Sequence, residues 1–195
     1  IVESWRNSFS FNAQGDNSPG LRPAQLGAIF AIKSHWTVSN EPATIVMPTG
    51  TGKTETMIAA VVSEMINRTL IIVPSNLLRK QTAEKILTFG ILQDIGTINP
   101  SALKPTVTTL LKTPKELSDL KVVLAKSNVI VTTMSLLQRF SDDYLAVISE
   151  SCNALIVDEA HHIAANTWAT VKYKLKKLRC LQFTATPFRN DGKKV

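Results

Sequence analysis

Between an apolar run and a helix-patterned segment the chain reads Met47-Pro48-Thr49-Gly50-Thr51-Gly52-Lys53-Thr54. Glycines at 50 and 52 let the backbone fold tightly enough for several N–H groups to converge on phosphate oxygens, and a helix beginning near Lys53 adds the positive end of its dipole. In such a cradle Lys53 reaches the β and γ phosphates and the Thr54 hydroxyl holds Mg²⁺. The strict pattern has glycine where this chain has Met47, a single departure. A second constellation, Asp158-Glu159-Ala160-His161-His162, follows the apolar run Ala154–Val157. Acids at the end of a buried strand lie at the carboxyl edge of a sheet, where open α/β folds bind ligands. Asp158 there completes the Mg²⁺ site begun by Thr54, and Glu159 orients and deprotonates an attacking water. The chemistry expected is nucleoside triphosphate hydrolysis, with Lys53, Asp158 and Glu159 as its catalytic residues. Adjacent histidines point in different directions and Cys152 lies across a strand, so His161-His162 is not read as a zinc site. His35 reads as an ordinary helix or loop residue.

Positioning these groups requires a sheet. Short β-branched runs alternate with helix-like segments, which predicts an α/β fold with a largely parallel central sheet and helices on both faces. The expected strands are Thr44–Met47, Thr69–Val73, Asn128–Thr132, Ala154–Val157 and Leu181–Phe183. Gln25 falls on a helix over Ala24–Lys33. In Lys53–Ile66, Met57, Ile58, Val61, Val62 and Met65 recur at helical spacing. Asn76–Thr88 reads as a helix with Asn76 as its N-cap. Thr113-Pro114 opens another through about Ala125, with proline at the first helical position. A last helix, capped by Asn166 or Thr167, runs to about Leu178. Asn7–Gly20 reads as a loop, making residues 1–20 a lead-in and 21–195 the nucleotide-binding domain. Ile91–Val107 carries no decisive pattern.

At 195 residues and 44% hydrophobic content the chain is long enough for one well-packed domain and too short for two nucleotide-binding lobes. It begins at Ile1 and stops soon after a motif, so it is expected to be a piece of a longer protein. No apolar run approaches the roughly 20 residues needed to span a membrane, and no membrane partner is expected. Cys152 and Cys180 suggest neither a disulfide framework nor a metal site, and read as buried free thiols in a reducing cytoplasm, the expected location. A net charge of +7 attracts phosphate backbones. Within it, Lys172, Lys174, Lys176, Lys177 and Arg179 read as a solvated helix face.

The order of these motifs resembles the first lobe of superfamily 2 DEAH-type helicases, and more narrowly the branch holding the motor subunits of type I and type III restriction enzymes. The resemblance spans Leu21 to Gly192. Asp158-Glu159-Ala160-His161 matches the DEAH box. Leu21-Arg22-Pro23-Ala24-Gln25 is similar to the motif that contacts adenine, Val73-Pro74-Ser75 with Leu77-Leu78 and Gln81 to motif Ia, and Val131-Thr132-Thr133-Met134 to motif Ib. Phe183-Thr184-Ala185-Thr186-Pro187-Phe188-Arg189 is similar to motif III, and Arg189-Asn190-Asp191-Gly192-Lys193 to the branch's continuation toward a second lobe. The resemblance implies a RecA-like P-loop NTPase domain using ATP and Mg²⁺. It places Arg22, Gln25, Thr49, Gly50, Thr51, Gly52, Lys53, Thr54 and Glu55 at the nucleotide. His161, Thr184 and Thr186 then couple nucleotide state to nucleic-acid contact, which falls to Pro74, Ser75, Leu78, Thr132 and Thr133. The implied partners are nucleic acid, with DNA expected, a second RecA-like domain in the same polypeptide carrying arginine fingers, and a nuclease or methyltransferase domain or subunit. The function implied is a nucleic-acid-dependent ATPase that translocates or unwinds, and the lobe alone should bind ATP·Mg²⁺ weakly and hydrolyse it slowly. The alternative is an ATP-gated nucleic-acid clamp, or a motor subunit of a restriction or defence complex, without strand separation. A non-motor P-loop kinase or transporter ATPase is disfavoured, because Asp-Glu-Ala-His and Thr-Ala-Thr stand in helicase order and no Leu-Ser-Gly-Gly signature occurs.

Overall fold

The computed structural model describes residues 1–160 and 165–186. After a 3-10 turn at Val2–Trp5 come α1 (Pro23–Val38), β1 (Ala43–Val46), α2 (Lys53–Ser63), β2 (Thr69–Val73), α3 (Asn76–Leu87), β3 (Val107–Thr109), α4 (Leu117–Lys126), β4 (Val129–Thr133), α5 (Met134–Leu137), α6 (Asp142–Ser151), β5 (Ala154–Val157), α7 (Ala165–Lys174) and β6 (Arg179–Thr184). The strands make one 6-stranded sheet in the order β1-β6-β5-β2-β4-β3, every pairing parallel. Residues along β2, β4 and β5 are buried throughout, as expected of parallel strands covered on both sides. Their side chains alternate between two cores. Ile71, Val73, Val131 and Ile156 join α1, α2 and α3 on one face, while Leu70, Ile72, Ile130 and Leu155 join α4, α6 and α7 on the other. The α/β architecture with helices on both faces is thus the observed one.

Several local expectations change. Ser75, not Asn76, caps α3, its Oγ accepting from the Leu78 N–H at 3.2 Å. Helix α4 begins at Leu117 rather than Pro114. Glu116 and Asp119 supply reciprocal side-chain caps there, which Thr113-Pro114 cannot match. Helix α2 ends at Ser63, short of Ile66, because Met65 turns left-handed at φ 50°. Helix α7 starts at Ala165, so Asn166 and Thr167 lie inside it, and it stops at Lys174 rather than Leu178. Strand β3 and helices α5 and α6 are additions to the expected set.

The lead-in is built into this domain. Trp5 is 1% exposed, meets Phe89 edge to face at 6.3 Å between centroids, and donates its indole N–H to the Leu103 carbonyl at 2.8 Å. Phe9 bridges Ile98, and Asn12 Nδ2 donates to the Ile95 carbonyl at 2.8 Å. Residues 1–20 and the stretch after α3 are therefore each other's packing partners. Cys152 and Cys180 are buried free thiols, each pushed up to about 12 by burial. Among the described residues no helix is long and apolar enough to cross a membrane.

Candidate active site

The site lies where the carboxyl ends of β1, β6 and β5 come together. Strand β6 pairs with both β1 and β5, so two strand spacings, about 10 Å, separate the glycine loop after β1 from the acids after β5. Lys53 closes that gap. Its Nζ sits 2.8 Å from Glu159 Oε1, with both side chains largely buried. The two share a cleft of about 340 Å³ with Arg22, Gln25, Gly50, Gly52, Thr54, Glu55, Leu78, Lys85, Ile91 and Asp158.

The loop needs glycine at position 52. Gly52 is the N-cap of α2 at φ 92°, and a Cβ there would fall 2.2 Å from Gln25 Nε2. Gly52→Ala should therefore cost about 1–3 kcal/mol, read as a lowered unfolding midpoint together with weaker nucleotide binding; a variant as stable and as competent as the parent would remove this constraint. Position 47 needs no glycine. Met47 is buried at the end of β1, its N–H donates to the Thr184 carbonyl at 2.9 Å, and it is not among the residues with positive φ. The departure from the strict pattern is thus a core side chain outside the tight part of the turn.

Arg22 Nη1 donates to the Gly50 carbonyl at 2.7 Å. Gln25 Oε1 accepts from the Arg22 N–H at 2.9 Å, while its Nε2 donates to the Gly52 carbonyl at 3.3 Å. Both residues of the upstream motif brace the loop from α1. Thr51 Oγ1 donates to the Pro48 carbonyl at 2.6 Å, so it shapes the turn, whereas Thr49 is exposed and Thr54 lines the cleft.

The acids are held under electrostatic stress. Asp158 follows β5, with its N–H donating to the Ile72 carbonyl at 2.8 Å. Burial, and then the neighbouring Glu159 charge, push its carboxyl up to about 6, against the lowering effects of Lys53 and of the Glu159 N–H on Asp158 Oδ1. Because the folded value exceeds the ordinary 3.8, the ionised form costs stability that grows as pH rises from the ordinary value and is complete above the folded one. A bound cation would offset that cost. Glu159 itself adopts φ 51°, left-handed for a residue with a side chain, which turns the chain sharply after the strand.

The chemistry available is phosphate binding and hydrolysis. The first-turn N–H groups of α2, which a helix leaves without intrahelical partners, and the Lys53 ammonium suit an anion, and the Thr54 hydroxyl with the Asp158 carboxylate is an oxygen donor set suited to Mg²⁺. The type III restriction enzyme res subunit family matches residues 18–189. This chain belongs to that family. Its α/β fold is that of RecA-like helicase domains. No curated relative matches it. Among solved structures, the UvsW helicase of bacteriophage T4 aligns at a TM-score of 0.63 with 15% identity, over 98% of this chain and 61% of that one. The DUF1998 helicase MrfA aligns at 0.59 with 16% identity, over 96% and 29%. A nuclease-deletion mutant of the type ISP restriction-modification enzyme LlaGI, solved with a DNA substrate mimic, aligns at 0.55 with 20% identity, over 86% and 18%. At these identities the likeness is one of fold, and this res-family domain spans 61% or less of each chain.

The other expected residues scatter. Pro74 and Ser75 lie at the carboxyl end of β2, with Ser75 exposed at the head of α3. Leu78, expected at the nucleic acid, lines the cleft beside Lys53 and Glu159. Thr132 and Thr133, expected at the nucleic acid, are 0% and 3% exposed. The reason is that β4 lies inside the sheet, between β2 and β3. Thr184 is buried, its hydroxyl donating to the Thr186 carbonyl at 2.7 Å and accepting from the Thr186 N–H at 3.3 Å. His161, His162 and the segment from Pro187 to Lys193 lie outside the described residues. Sequence reasoning missed Lys85 and Ile91, which line the cleft from α3 and the turn after it; only their distance along the chain from the glycine loop hid them. His35 is a helix residue whose Nε2 lies 2.7 Å from the Glu41 carbonyl oxygen. In the basic patch, Lys174 pairs with Asp142 at 2.6 Å and Lys176 lies over the Tyr173 ring.

Proposed function

We propose that this domain binds ATP·Mg²⁺ and hydrolyses it as the first RecA-like lobe of a DEAH-type helicase or translocase that acts on DNA. The observation that carries the reading is the Lys53–Glu159 ion pair at 2.8 Å, which joins the glycine loop and the acid pair in one cleft. Without nucleotide, Lys53 neutralises Glu159. When phosphates enter the loop, Lys53 turns to their oxygens and leaves Glu159 to orient water and take its proton. Thr54 and Asp158 would hold Mg²⁺, which would supply charge neutralisation to the phosphates. Arg22 and Gln25 brace the loop that would receive the phosphates, and Gln25 would read the base. Thr49, Gly50, Thr51 and Gly52 shape the backbone that receives them.

Thr184 and Thr186 sit at the end of β6, between the loop and the acids, and with His161 would relay the nucleotide state. Pro74 and Ser75 offer the carboxyl-edge contact to a nucleic-acid backbone. A second RecA-like domain in the same polypeptide, with its arginine fingers, would complete the site, and a nuclease or methyltransferase domain fits the family. The net charge of +7 favours a phosphate-rich partner. ATPase measurements on the intact protein with single-stranded DNA, duplex DNA and RNA test the reading, and stimulation by DNA is the expected result. No stimulation by any polymer sinks the motor, and stimulation by RNA alone sinks the DNA assignment.

A further inference from the structure

A carboxylate inside a phosphate cradle calls for explanation. Glu55 lies in the first turn of α2, two residues after Lys53, and is buried. Its Oε2 would be 3.4 Å from a Cβ on Gly52, so it lies against the loop itself. The same turn supplies the free N–H groups suited to phosphate. An ionised acid there repels the ligand that those groups attract, and a low dielectric strengthens the repulsion. Among the described residues, Lys85 is the cation that pairs with it. Lys85 comes from the last turn of α3, lines the same cleft, and places its Nζ 2.5 Å from Glu55 Oε1. Gly90, after α3, closes over the pair: a Cβ there would lie 3.5 Å from Lys85 Cγ and 3.6 Å from Glu55 Oε1.

We propose that Lys85 is a positioning residue for the nucleotide: by pairing with Glu55 it screens the buried carboxylate from the incoming phosphates and ties α3 to the phosphate loop. This rests on the ATP-site reading above. Removing Lys85 alone leaves an uncompensated acid in the cradle, whereas removing both charges does not. A direct contact between Lys85 and phosphate makes the opposite prediction, because the double variant would then stay weak.

The test is the dissociation constant of the slowly hydrolysed analogue AMP-PNP with Mg²⁺, measured by calorimetry on the intact protein and its variants. Lys85→Met should weaken binding about tenfold or more, the order expected for an unscreened like charge at a partly buried site. Lys85→Arg should bind as the parent does, and Glu55→Gln/Lys85→Met should recover to within about threefold of it. Glu55→Gln alone keeps the shape of the side chain and should bind at least as tightly as the parent, which keeps the proposal open to test even if Lys85→Met does not fold. Equal weakness in Lys85→Met and the double variant, undiminished binding in Lys85→Met, or weaker binding in Glu55→Gln would each overturn it. Failure of the parent protein to bind AMP-PNP would remove the ATP-site reading, and the inference with it.

Discussion

Lys53→Ala in the intact protein should lower ATP turnover by about 10²–10³-fold or more, the scale of losing one charged donor from a preorganised site. Two effects act in the same direction. The phosphates lose the lysine of the loop, and Glu159, which Lys53 Nζ approaches at 2.8 Å, loses that neutralising contact beside Asp158. Burial and the Glu159 charge already push the Asp158 carboxyl up to about 6, so removing the cation intensifies a repulsion that is present in the parent. Nucleotide binding should fall along with turnover, because both the attraction and the charge balance are gone. Steady-state ATPase assays and a direct binding measurement check this, with a thermal melt as the control for folding. Turnover within tenfold of the parent would take Lys53 out of the mechanism.

Glu159→Gln should separate binding from hydrolysis. The substitution keeps size and backbone, including the left-handed φ of 51° at this position, and removes only the charge and the basicity. Loss of a general base costs about 10²–10⁴-fold in rate. Binding should hold or tighten, because Lys53 no longer has an anionic partner to leave before it meets the phosphates. Single-turnover hydrolysis with prebound ATP reads the two effects apart, since the chemical step slows while ATP stays on the protein. Hydrolysis at the parent rate would remove Glu159 from its role. The two substitutions therefore have opposite signatures, one losing the ligand and the other keeping it unconverted.

Local chemistry was readable along the chain because it depends on neighbours in sequence. The glycine loop between strand and helix, the acids after Ala154–Val157, and the strands Thr69–Val73 and Ala154–Val157, found with the expected bounds, all follow from short-range pattern. Errors gathered where a second, distant segment decides the outcome. That Thr132 and Thr133 are buried is decided by β2 and β3, which flank their strand, and by the helices that cover the sheet. Helix α4 has a proline in the right place for a start, but Glu116 and Asp119 offer a better one. Nothing within residues 1–20 or Ile91–Val107 marks either as structured, because each acquires its structure from the other. Trp5 needs Phe89 and the Leu103 carbonyl, and those partners need Trp5.

By itself, then, the sequence determined the parts: the phosphate loop, the acid pair, the parallel α/β class and the family resemblance. These are properties of runs a few residues long, where spacing and side-chain type suffice. Tertiary structure alone decided which parts meet. Placing β6 between β1 and β5 puts Lys53 against Glu159 with Thr184 between the two loops, and folding α3 against α2 brings Lys85 to Glu55. Strand order and helix packing are set by burying two apolar faces at once, a global condition that no short stretch of the chain encodes.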